Sequence, residues 1–156
     1  VYIRLFRKKA WKIFDREESI TLGKGILLKE GTDVTIVASG IMVKEALEAA
    51  EILESANIHA EVINIHTIKP LDEEIIVNSV NKTGCCVTAE NAFMNNGLGS
   101  AITDCVCANK PCPVLKVGVD DRFGEVGNID YLQKELHLMA EDIVEKAHQA
   151  MERKNR

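Results

Sequence analysis

The sequence predicts an α/β fold: a three-layer α/β/α sandwich around a mostly parallel, five-stranded sheet with one antiparallel strand. Two observations carry this expectation. From Ile26 onward, apolar runs of strand length alternate with amphipathic runs of helix length. The strand-like runs are almost wholly apolar instead of alternating, as strands covered on both faces are. The antiparallel strand follows from a third feature. Only Gly31-Thr32 separates the first two runs, a connection too short for a crossover, so they are expected to pair as a hairpin.

The elements follow in order. Residues 1–22 read as a strand end, Val1 to Phe6, followed by a linker with a basic cluster and Asp15-Arg16-Glu17-Glu18. Ile26–Glu30 and Asp33–Ala38 form the expected hairpin. Met42–Ala56 places Val43, Ala46, Leu47, Ala50 and Leu53 on one face and five charged residues on the other, which is an amphipathic helix. Ala60–Ile65 is a strand. Pro70-Leu71-Asp72-Glu73-Glu74 opens a helix, with acids where the dipole favours them. Cys85–Glu90 is the next strand. Leu98, Ala101, Ile102, Cys105 and Val106 mark a helical face, and Pro113–Val119 is the last strand. A short helix near Ile129–Leu136 and a long one from Ala140 to about Lys154 close the chain. The long one is expected to bury Ile143, Val144, Ala147 and Met151.

Composition bounds the function. The chain has 156 residues, which suits one domain, and 46% hydrophobic side chains, enough for a core without metal or disulfide support. Residues 1–12 hold five basic groups and no acid, leaving 14 basic and 24 acidic side chains in the rest. An acidic body argues against nucleic acid as a partner, because every phosphate contact would face repulsion. No apolar run approaches membrane-spanning length. The opening residues have no apolar h-region, so a piece of a longer chain without a signal peptide is expected. The five cysteines are odd in number and none is spaced as C-x-x-C. Cys85 and Cys86, adjacent in a strand, point to opposite faces. Reduced thiols of a cytoplasmic protein are expected, with no metal site.

Ligands of such sheets bind beyond the carboxyl ends of the strands. Three polar or glycine-rich loops are due there: Ser39-Gly40; Glu90-Asn91 through Gly97-Leu98-Gly99-Ser100; and Asp120-Asp121-Arg122-Phe123-Gly124-Glu125. The candidate residues are Glu90, Asn91, Gly97, Gly99, Asp121, Phe123 and Gly124. Gly97-x-Gly99 is not a dinucleotide fingerprint, because Ile102 takes the third glycine's place and the preceding loop is long. Gly23-Lys24-Gly25 is not a P-loop, and no G-x-S-x-G elbow occurs. No catalytic, cofactor-binding or metal-binding set assembles from these residues alone.

Four segments in order resemble the C-terminal domain of the transketolase family of thiamine diphosphate enzymes. They are Asp33–Gly40, Thr67-Ile68-Lys69-Pro70-Leu71-Asp72, Glu90-Asn91 with Gly97–Ala101, and Asp121-Arg122-Phe123-Gly124-Glu125. The resemblance implies that residues 24–156 are that domain and residues 1–23 the end of a pyrimidine-binding domain with its linker. It also implies that Arg7 binds the phosphate of a sugar phosphate, a role that suits a planar guanidinium. Thiamine diphosphate and magnesium would belong to the intact enzyme and not to this fragment, in keeping with the lack of a G-D-G motif. The enzyme would transfer a two-carbon unit between sugar phosphates, and the fragment alone would be inactive. Its partners would be the pyrimidine- and diphosphate-binding domains, in a homo-oligomer such as a dimer. Glu90-Asn91-Ala92 is closer to 1-deoxy-D-xylulose-5-phosphate synthase, which stays as an alternative within the family. A nucleotide-binding regulatory domain and a purely structural assembly module are the alternatives outside it.

Overall fold

The structure is a computed structural model that describes residues 2–6, 11–14 and 20–156. The elements are β1 (Ile26–Lys29), β2 (Val34–Ala38), α1 (Met42–Ser55), β3 (Ala60–Asn64), α2 (Glu73–Thr83), β4 (Cys86–Phe93), α3 (Leu98–Asn109), β5 (Val114–Val119), α4 (Ile129–Glu135) and α5 (Ala140–Lys154). The five strands form one sheet in the order β1-β3-β2-β4-β5, parallel except for β1. Alternation along the strands divides the core in two. Val34, Ile36 and Ala38 of β2 with Val87 and Ala89 of β4 face α1 and α5, whereas Val37 and Cys86 face α2 and α3. Cys85 and Cys86 accordingly lie in opposite layers.

The antiparallel strand exists, but the expected hairpin does not. β1 pairs with β3, and β3 lies between β1 and β2. The Gly31-Thr32 link wraps around the start of β3. The amides of Thr32 and Asp33 both donate to the His59 carbonyl, at 2.9 and 3.0 Å, and the Asp33 carboxylate accepts from the His59 amide at 2.7 Å. A Cβ on Gly31 would lie 2.2 Å from the Ala60 carbonyl carbon, so only glycine fits this crossing. The link is short because it passes across a strand end, and its length alone does not reveal that.

Helix packing also differs in detail from the periodicity. In α5, Ile143, Ala147 and Ala150 are buried, whereas Val144 and Met151 are only partly so. β4 runs three residues past Glu90, with a register irregularity between Ala89 and Phe93. Between β2 and α2 lies a polar knot that no pattern announced. Thr35 Oγ1 is 2.6 Å from both Ser79 Oγ and Thr83 Oγ1, and all three residues are buried. Mutual hydrogen bonding offsets the cost of burying those hydroxyls. Among the described residues no helix is long and apolar enough to cross a membrane, and no group of three His, Cys, Asp or Glu is placed to hold a metal.

All five cysteines are free, with Cys107 exposed and Cys85, Cys86 and Cys105 buried. Burial pushes the Cys85 thiol up to about 11 from 9.0, and it pushes Cys86 well above that ordinary value. Alkylation of the native protein should therefore label Cys107 first and Cys86 last. The folded state keeps protons that unfolded thiols release above 9.0, so this contribution to stability is complete below 9.0 and is lost as pH rises towards about 11. The urea midpoint of the natural chain should fall further over that range than that of Cys85→Ala. Parallel decline of the two would contradict the assignment.

Candidate functional site at the carboxyl edge of the sheet

The connection β2-α1-β3 leaves β2 in one direction and β3-α2-β4 returns on its other side, so the sheet reverses order between β2 and β4. The carboxyl ends of those two strands form the switch point, where open α/β sheets place ligands. Ser39 and Gly40 end β2, and Glu90 and Asn91 lie in the outer half of β4.

Glu90 organises this edge. Its side chain is buried, with Oε2 accepting from the Leu98 amide at 2.9 Å and Oε1 from the Gly99 amide at 2.7 Å. The carboxylate thus closes the N-terminus of α3, where orphan N–H groups and the helix dipole both favour an anion. Gly97 permits the approach. A Cβ there would sit 2.0 Å from Glu90 Oε2. Gly99 lets α3 lie close to the sheet, since its Cβ would fall 2.9 Å from both Thr88 Oγ1 and Lys116 Cδ. Among the described residues, no hydrogen-bond partner reaches the buried Thr88 Oγ1 or His66 Nε2. Lys116 reaches the Met94 carbonyl and Ser100 Oγ, each at 3.5 Å.

Of the residues singled out from sequence, Glu90, Gly97 and Gly99 come together. Asn91 stands beside them, and its carbonyl accepts from Arg4 Nη2 at 3.0 Å. Asp121, Phe123 and Gly124 belong to the loop after β5, all three exposed, and no hydrogen bond or ion pair joins them to Glu90. That loop is braced from within. Arg122 pairs with Glu125 and, at 3.3 Å, with Glu135, and the Tyr131 hydroxyl donates to Glu125 Oε2 at 3.1 Å. The hydrogen bond to Glu125, together with the surrounding acids, raises the Tyr131 pKa. Arg7 lies outside the described residues.

Sequence reasoning missed the segment that covers the switch point. Phe6, Trp11 and Ile13 line a small apolar pocket of about 220 Å³ with Gly40, Ile41 and Lys44, and Lys44 Nζ lies 5.3 Å from the Trp11 ring centre. A lone tryptophan beside basic residues was the available signal. The N-terminal segment thus walls this side of the crevice with apolar side chains and leaves the small pocket open. Both Glu90 oxygens already accept from amides, and among the described residues no group of three His, Cys, Asp or Glu is placed to hold a hard cation, which needs several oxygen ligands. The site does not fit magnesium and a diphosphate.

The Glu90–α3 contact can be tested by a double-mutant cycle. Gly97→Ala forces a methyl into the carboxylate and should cost about 1–3 kcal/mol. Glu90→Ala leaves two amides uncapped and should cost about as much. The double variant should be less destabilised than the sum, because the clash needs both side chains. Additivity within about 0.5 kcal/mol in urea melts would contradict the contact.

Comparison with known proteins agrees with this architecture. A family model described as transketolase, C-terminal domain, matches residues 23–143. The chain is 55% identical over 155 residues to the 6-deoxy-6-sulfo-D-fructose transketolase subunit of Clostridium sp. (strain MSTE9), covering 99% of this chain and 48% of that protein. It is 39% identical over 147 residues to the 1-deoxy-D-xylulose-5-phosphate synthase of Caldanaerobacter subterraneus subsp. tengcongensis, covering 93% of this chain and 24% of that one. A solved split-gene transketolase, an inactive β4 tetramer, superposes with a TM-score of 0.89 at 42% identity, over 95% of this chain and 48% of that one. The chain thus spans about half the length, or less, of the relatives it matches. The sheet order, the Glu90-capped helix and these matches place the chain in the transketolase C-terminal domain family.

Proposed function

We propose that the chain is the C-terminal section of a thiamine diphosphate-dependent, transketolase-type enzyme that moves a two-carbon unit from a ketose to an aldose. The observation that carries this is the 55% identity, over nearly the whole chain, to a protein named as a transketolase subunit. The donor is a ketose with an anionic group at its far end: phosphate, as in the family at large, or sulfonate, as that relative's name states. Within the enzyme this section supports and shapes the assembly and does no chemistry of its own. Thiamine diphosphate and magnesium are held by the pyrimidine- and diphosphate-binding domains, and the fragment alone binds neither. The family match beginning at residue 23 supports a boundary there, with residues 1–23 belonging to the preceding domain and linker. Five unpaired thiols suit the reducing cytoplasm.

A nucleotide-binding regulatory domain is the weaker reading, because Phe6, Trp11 and Ile13 lie over the crevice such a ligand would use. The synthase of 1-deoxy-D-xylulose 5-phosphate stays as the alternative substrate assignment, favoured by Glu90-Asn91-Ala92 and by 39% identity to one such enzyme.

Arg7 is proposed to bind the anionic end of the sugar. In the intact enzyme, Arg7→Ala should raise KM for 6-phospho and 6-sulfo ketoses roughly tenfold to a hundredfold, the loss of a charge-assisted contact of about 1.5–3 kcal/mol. Neutral ketoses should be unaffected, and lysine should restore only part of the loss. Equal effects on charged and neutral donors would reject the role. Absence of ketol transfer in the intact enzyme, with release of a decarboxylation product from pyruvate instead, would favour the synthase.

A further inference from the structure

A cation in the first turn of α1 faces the N-terminal segment. Lys44 Nζ lies 5.3 Å from the centre of the Trp11 ring, a distance at which an ammonium is attracted by an aromatic face. Its own helix gives little reason for a lysine there. The dipole disfavours a cation at a helix N-terminus, and a lysine four residues before a glutamate is the weaker order of that pair. The ammonium is nevertheless held. Glu48 takes it at 2.7 Å and Glu45 stands at 3.7 Å, and the hydrogen bond to Glu48 raises its pKa. Two carboxylates thus aim a fixed charge outward from α1, and the Trp11 ring receives it.

The segment is fastened at other points as well. Phe6, Trp11 and Ile13 pack at Gly40 and Ile41, beyond the end of β2, and Ile13 also reaches the core layer under α1. At the end of β4, the Asn91 carbonyl accepts from Arg4 Nη2 at 3.0 Å. The two strand ends meet there, since a Cβ on Gly40 would lie 3.5 Å from Asn91 Oδ1. The segment therefore touches both strands that form the switch point. Arg4 and Phe6 precede Arg7 in sequence and Trp11 follows it, so contacts with the C-terminal domain bracket that arginine on both sides. Binding an anion with a planar guanidinium depends on orientation, which is set by whatever seats the backbone that carries it.

We propose that Lys44 is a positioning residue for the donor ketose: through the Trp11 ring it seats the segment carrying Arg7, and so governs binding of the sugar's anionic end. This deepens the transketolase reading and rests on it and on the role given to Arg7. Lys44 itself touches no substrate.

Steady-state kinetics of the intact enzyme test it. Lys44→Met keeps the bulk and removes the charge, and should raise KM for a 6-phospho ketose roughly threefold to tenfold, as loss of a cation–π contact does. The kcat, and the KM for a neutral ketose, should not move, because only uniform binding of the anionic end is lost. Lys44→Arg keeps a cation over the ring and should restore most of the affinity. In an Arg7→Ala background Lys44→Met should add nothing, since it acts through that arginine. Trp11 is the single tryptophan, so its emission in the 156-residue chain reports the seating directly. Lys44→Met should shift that emission to the red and Lys44→Arg should not, with circular dichroism showing the fold intact. Unchanged emission, an equal rise in KM for charged and neutral donors, or an effect that adds to that of Arg7→Ala would each overturn the proposal and leave the transketolase reading standing. An Arg7→Ala enzyme that does not discriminate between donors would overturn the proposal together with the role of Arg7. Absence of ketol transfer in the natural enzyme would reject the transketolase reading and the proposal with it.

Discussion

One carboxylate sets the geometry of the functional edge. Glu90 projects from β4 and accepts the first free amides of α3, so a strand and a helix on neighbouring turns of the chain are joined through two short hydrogen bonds. A buried carboxylate is costly unless its oxygens are satisfied, and a helix N-terminus satisfies them with donors that would otherwise be orphaned themselves. Each side thus removes the other's penalty. The surrounding small residues follow from this contact: Gly97 because the carboxylate leaves no room for a Cβ, and Gly99 because the helix it opens must lie against Thr88 and Lys116.

The same contact limits what Glu90 itself can do at the edge. A carboxylate committed to two amides is poorly placed to act as a base or a metal ligand. What the edge does offer is relief: a braced loop after β5, and an apolar pocket between the N-terminal segment and the start of α1. Those are features of a surface that other protein fits against.

The layered α/β architecture was legible in the sequence, because nearly continuous apolar strands and amphipathic helices leave few alternatives. Sheet order was not. The Gly31-Thr32 link looks like a hairpin turn, and only the tertiary path around His59 and Ala60 reveals that β3 lies between the joined strands. Local length cannot report what a link passes over. At the edge, the Glu90 and Gly97–Gly99 pairing was visible as a family motif, but its physical reason, a carboxylate seated where a Cβ would be, requires distances. The Thr35–Ser79–Thr83 knot left no trace because hydroxyls separated by more than forty positions carry no periodic signal. The role of Trp11 was hidden for the opposite reason. It sits in a segment that reads as linker, and its meaning depends on the pocket it completes.

Native-state hydrogen exchange at the Leu98 and Gly99 amides tests most directly that Glu90 holds the edge together. If it does, both protons exchange only through large-scale unfolding, with protection approaching that of β2 and β4 core amides, although they sit in the first turn of a helix where fraying is usual. The Phe123 and Gly124 amides, by contrast, should exchange far faster. First-turn amides of α3 that exchange as rapidly as that loop would contradict the account.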